Sequence, residues 1–94
     1  MAVAASKVRP FTADGQSDIK ILRGIVFSST TAADRVDLKN GGSGGAILLT
    51  YHQPTALATI AQTFADGGVE CPEGNWYVEV TTATTFGVVT LIGD

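Results

Sequence analysis

The sequence predicts a single all-β domain: an antiparallel β-sandwich or jelly-roll-like body preceded by a flexible N-terminal arm. Three observations carry that expectation. Short runs alternate apolar and polar residues with the two-residue period of a half-buried strand, as in Arg35-Val36-Asp37-Leu38-Lys39 and Trp76-Tyr77-Val78-Glu79-Val80-Thr81. Turn-forming clusters separate these runs at short intervals. Only 16% of the 94 residues are charged, against about 25% in an average domain, while 45% are hydrophobic. A chain this short has much surface to cover, so threonine, glycine, alanine and apolar groups must cover it. Such a surface suits contact with neighbours.

Residues 1–17 read as the arm. They hold Pro10 and the polar, turn-forming run Thr12-Ala13-Asp14-Gly15-Gln16-Ser17, with Val8 and Phe11 as the anchoring apolar groups. The sandwich is expected over 18–94. Its first strand runs through Ile19, Ile21, Ile25 and Phe27, bent where Gly24 interrupts it, because a glycine inside a strand marks a bulge or bend. After a turn at 30–34, Val36 and Leu38 face inward, with the charges of Arg35, Asp37 and Lys39 opposite. Asn40-Gly41-Gly42-Ser43-Gly44-Gly45 forms a hairpin loop, since glycine reaches positive φ without strain and Asn-Gly favours tight turns. A phosphate cradle would need Gly-Lys-Ser/Thr followed by a helix, whereas the strand-like Ala46-Ile47-Leu48-Leu49-Thr50-Tyr51 follows.

Residues 52–65 are ambiguous. Leu57, Ile60, Ala61 and Phe64 have helical spacing, but the threonines oppose a long helix, so the expectation is a loop with one helical turn. Val69-Glu70-Cys71 is a short strand. Trp76, Val78 and Val80 share the core face of the next strand, with Tyr77 and Glu79 opposite, and residues 86–92 form the closing strand.

No residue set points to catalysis, and the chain is expected to have neither enzymatic activity nor a cofactor. The single histidine, His52, has no second histidine or cysteine beside it in sequence, and no serine sits in a Gly-x-Ser-x-Gly elbow. One cysteine, Cys71, allows no internal disulfide and reads as a buried packing residue. A Cys71–His52 dyad is the alternative. The pairs Asp34/Asp37 and Glu70/Glu73 read as solvated groups on exposed turns rather than an acid–base pair. Asp14, Asp18 and Asp66 lie in no calcium-loop pattern. The net charge is −3 with no basic run, so no nucleic-acid partner is expected. No apolar stretch approaches bilayer-spanning length and no signal peptide is evident, so no membrane partner is expected either.

What remains is interaction surface. Ile47-Leu48-Leu49 and Val88-Val89-Thr90-Leu91-Ile92 are apolar on both phases, so those strands need cover on both faces. The outer cover is either the 52–65 segment or another subunit. The candidate contact residues are Val8, Arg9 and Phe11 of the arm and the off-beat positions Leu48, Tyr77, Val89 and Leu91, taken as solvent-facing. Stacking of a carbohydrate on Trp76 and Tyr77 is a weaker reading, because adjacent strand residues point to opposite faces.

The order of these features over residues 18–93 resembles small virion structural proteins of tailed bacteriophages. It comprises Leu22-Arg23-Gly24-Ile25, Val36-Asp37-Leu38, the glycine-rich turn, Ala46-Ile47-Leu48-Leu49, Asp66-Gly67-Gly68-Val69-Glu70-Cys71, and Gly74-Asn75-Trp76-Tyr77-Val78-Glu79-Val80-Thr81. Trp76 departs from the aliphatic residue common at its place. The resemblance implies a β-sandwich or jelly roll made in the host cytoplasm and placed in the virion. There it would act as a capsid decoration (cement) protein, homotrimeric, bridging subunits of the major capsid protein. A tail or neck component is the alternative within the same resemblance.

Overall fold

Alternation and turn chemistry produce strands throughout the computed structural model, which describes residues 7–29, 34–53, 59–65, 67–82 and 86–94. In chain order they are β1 (Lys7–Phe11), β2 (Gly15–Gln16), β3 (Ile21–Ser28), β4 (Arg35–Lys39), β5 (Ile47–His52), β6 (Thr59–Thr63), β7 (Val69–Glu70), β8 (Tyr77–Thr81) and β9 (Val88–Gly93). They form two antiparallel sheets. The first has the order β1-β9-β3-β6, with β7 also paired to β3, and the second has the order β2-β8-β4-β5. The ribbon β1–β2 lies against β9–β8, which lies against β3–β4, which lies against β6–β5. That rolled double ribbon is the eight-stranded jelly roll, with β7 as a short addition.

The core fills the space between the sheets. Leu22, Ile25 and Phe27 of β3 and Val89 and Leu91 of β9 meet Val36 and Leu38 of β4 and Val78 of β8, with Ile19, Cys71 and Trp76 closing one end. Phe86 stacks on Phe27 with ring centroids 5.5 Å apart. The bend expected at Gly24 is a register shift between Leu22 and Gly24 against β9. It has a packing cause. Leu22 and Ile25 are both buried although three residues apart, which strict alternation forbids and one inserted residue allows. The loop at 40–46 closes the β4–β5 hairpin, with Asn40 N–H donating to Ala46 O at 2.9 Å. Gly41 has φ +81°, and a Cβ there would lie 2.3 Å from Glu73 O, so the turn requires glycine twice over.

Three expectations are corrected. The described part of the arm belongs to the sheets: Lys7–Phe11 pairs with Val89–Gly93, and Gly15–Gln16 pairs with Tyr77–Val78. Residues 1–6 lie outside the described residues. The 52–65 segment is not helical where it is described: Thr59–Thr63 is an edge strand on β3, while Leu57 lies outside the described residues. Ile60 and Phe64, four apart, pack against the core from a strand as well as they would from a helix. Finally, Asp34 and Asp37 are buried rather than solvated. Asp34 accepts hydrogen bonds from Ser29 Oγ (2.8 Å) and Thr82 Oγ1 (2.6 Å), and its carbonyl accepts from Gln53 N–H (2.9 Å).

Candidate interaction face

The two sheets turn different chemistry toward solvent. In the second sheet Val36, Leu38 and Val78 point inward, so Arg35, Asp37 and Lys39 of β4, Tyr77 and Glu79 of β8, and Thr50 and His52 of β5 point outward, with the exposed Ile47 and Leu48 at the bulged start of β5. This face is ionic. Arg35 donates from Nη2 to Asp37 Oδ2 (2.8 Å) and from Nε to both carboxylate oxygens (3.2 and 3.1 Å), and Thr50 Oγ1 donates to Oδ1 (2.8 Å). Lys39 Nζ lies 2.9 Å from Glu79 Oε2. Desolvation pushes the Asp37 carboxyl up. The hydrogen bonds from Arg35 and Thr50 and the charges of Arg35 and Lys39 outweigh it and hold the group below the usual aspartate range.

The first sheet turns out a face of another kind. Beyond a charged margin of Arg23, Asp94 and Glu70, its outward positions form three cross-strand rows: Val8–Ile92–Gly24–Thr63, Pro10–Thr90–Val26–Ala61 and Val88–Ser28–Thr59. None of them carries a charge. Val8 and Val26 are the most exposed large apolar groups on it, at 57% and 36%. A shallow furrow crosses the face, walled by Val26, Ala61, Thr63 and Ile92, with Gly24 as its floor. A side chain at Gly24 would begin 3.3 Å from Gln62 O and 3.9 Å from both Ile92 Cβ and Thr63 Cγ2 and would occupy the furrow.

The candidate contact residues do not converge on one surface. Val8 lies on the uncharged face. Arg9 sits at the sheet edge and holds Asp18 bidentately, Nε to Oδ1 at 2.9 Å and Nη2 to Oδ2 at 3.0 Å, and this hydrogen-bonded pairing lowers the Asp18 pKa. Phe11 turns inward against the core. Leu48 (41% exposed) and Tyr77 lie on the ionic face of the second sheet. Val89 and Leu91 were expected to face solvent; instead both are fully buried in the core. The sequence alone gives β9 the wrong phase because Val88 and Ile92 are as apolar as Val89 and Leu91. Thr90, the polar residue of that run, was the signal that its own phase faces out. The same inversion hides Thr90 and Ile92 as surface residues.

No family model, curated protein or solved structure matches this chain.

The alternative chemistries fare as follows. Cys71 is buried with its Sγ 3.4 Å from Asn40 Oδ1, just beyond the end of β4, whereas His52 pairs with Arg35 at the start of β4. A five-residue strand separates them, roughly 15 Å, so they form no dyad. Among the described residues no group of three His, Cys, Asp or Glu side chains could hold a metal ion. Asp14 Oδ1 accepts from Val80 N–H at 2.8 Å, and Asp18 is taken by Arg9. Trp76 is 1% exposed, so it offers no stacking platform to a sugar. Among the described residues no helix is long and apolar enough to cross a membrane.

Proposed function

We propose that this chain is a structural interaction protein that seats the uncharged outer face of its first sheet on another protein surface. In the finer reading it is a capsid decoration (cement) protein of a tailed bacteriophage, bound to the major capsid protein. The observation that carries the docking reading is the contrast between the two outer faces. The central rows of the first sheet's outer face carry no charge, with the Arg23–Asp94 ion pair and Glu70 confined to its margin, whereas the middle of the other outer face carries Arg35, Asp37, Lys39 and Glu79. Charged groups are depleted at the centre of protein interfaces because burying them costs more than apolar contact returns. The sequence resemblance supports the virion setting. The jelly roll is compatible with it, but the fold hosts many functions and does not assign one.

Size decides how such a face would work. Four strands about 4.8 Å apart and five residues about 3.4 Å each span roughly 300 Å². A standard interface buries about 800 Å² per partner, so this face supplies the apolar centre and neighbouring elements must supply the rest.

Val26 tests the reading, because its side chain stands in the middle of the face and outside the core. Val26→Glu is expected to change folding stability by no more than about 1 kcal/mol, the span of strand propensity. It is expected to lower attachment to purified virions at least about 100-fold, by placing an unpaired carboxylate in a desolvated contact. Attachment is measured by adding the purified protein back to particles that lack it and counting copies by electron microscopy. Hundreds of copies on the shell support the cement reading. About a dozen or fewer at one vertex move the protein to the neck or tail, and full attachment of Val26→Glu removes the docking face.

A further inference from the structure

We propose that β6 pairs with β6 of a second copy of this chain, antiparallel and centred on Ala61, joining two first sheets into one. The case starts from the ladder phase. Phe64 N–H donates to Arg23 O at 2.9 Å, which places residues 60, 62 and 64 in hydrogen bonds to β3. The intervening residues Thr59, Ala61 and Thr63 therefore turn their N–H and C=O groups to the flank where no strand pairs among the described residues.

The edges of this sandwich are protected unequally. The opposite edge of the first sheet, β1, carries Lys7, Arg9 and Pro10, the residues that discourage strand addition. Near it, the carboxylate of Asp14 already occupies Val80 N–H. β6 reads Thr-Ile-Ala-Gln-Thr, with no charge and no proline. β5, on the same flank, also lacks charge, but its edge-facing residues include the bulkier Leu48 and His52. The small side chains of β6 make it the edge that a second strand can reach.

Self-pairing about Ala61 sets Ala61 opposite its own copy and Thr59 opposite Thr63 at both ends. Cross-strand Thr–Thr pairs are favourable, and three opposed pairs exchange about six backbone hydrogen bonds. The contact is isologous, so it closes at two copies. Its axis stands normal to the sheet, which leaves both uncharged faces on the same side and doubles the docking surface to roughly 600 Å². The pairing itself does not depend on what that surface meets. An edge of five residues buries less than a standard interface, so the dimer is expected with a Kd near 100 µM.

Sedimentation equilibrium from about 10 to 500 µM tests it. The wild-type chain, 9.7 kDa, is expected to approach twice that mass at the upper end. Ala61→Pro removes an N–H that faces away from β3 and is tolerated in an edge strand, so it is expected to keep the far-UV circular dichroism and raise the dimer Kd at least about tenfold. Ala61→Lys leaves the backbone intact and sets two like charges face to face. It is expected to weaken the dimer similarly, with partial recovery in high salt. A wild-type chain that stays monomeric to 500 µM, one that forms trimers, or a dimer that Ala61→Pro leaves intact overturns the proposal.

Discussion

Trp76→Ala is expected to remove about 3–5 kcal/mol of folding stability, the range for truncating a large buried aromatic. A domain of 94 residues has about 5–14 kcal/mol in total, so the variant would be marginal at 25 °C. The effect is large because Trp76 joins the two sheets where the core closes. Its side chain is 1% exposed and its indole N–H donates to Val69 O at 3.4 Å. Its backbone N–H donates to Ile19 O at 2.9 Å, while its carbonyl accepts from Ser17 N–H at 3.1 Å and Ser17 Oγ at 2.5 Å. Alanine leaves a cavity bordered by fixed backbone, which cannot collapse to fill it. Trp76→Phe keeps most of the buried area and loses the indole donor, with an expected cost of about 1–2 kcal/mol. Trp76 is the chain's single tryptophan, so unfolding in urea must be followed by far-UV circular dichroism. A loss below about 1.5 kcal/mol for the alanine variant would contradict the core described above.

That residue was also the easiest part of the fold to read. Where one phase of a strand is apolar and the other is not, period two assigns the faces without help: Val36 and Leu38 in β4, Val78 in β8 and Trp76 just before it all point inward as the alternation requires. In β9 both phases are apolar and the period has no sign, so the face had to be set by the registry with β1 and β3. In and just after β6 the spacing of Ile60 and Phe64 satisfies a helix and a strand equally. The free edge of β3 decided between them, and that is tertiary information.

The candidate face escaped the sequence for a related reason. A face is a property of several strands together. Val8, Thr90, Val26 and Ala61 are distant in sequence and become neighbours only through the order β1-β9-β3-β6. The low charged content was visible in the composition. The absence of charge from the middle of one face was not, because Arg35, Asp37, Lys39 and Glu79 stand on strands whose pairing had first to be known.

Asp37 gives the second large effect. Asp37→Ala is expected to cost about 2–4 kcal/mol, since removing one partner of a buried ion pair leaves the others unsatisfied. The upper end is moderated because the Arg35 side chain is 38% exposed and can recover water, whereas Asp37 is fully enclosed. The same carboxylate makes stability depend on pH with a definite sign. Its pKa is lower in the folded chain than in the unfolded one, so its contribution is complete above the unfolded aspartate value of about 3.9 and disappears as pH falls through the lower folded value. Asp37→Asn keeps the shape and cannot take up that proton. The stability gap between wild type and Asp37→Asn, measured by urea unfolding, is therefore expected to be constant between about pH 8 and 5 and to narrow as pH drops below about 4. A gap that persists unchanged to about pH 2.5 would mean that the ion pair on the outer face of the second sheet adds nothing to the folded state beyond what an amide supplies.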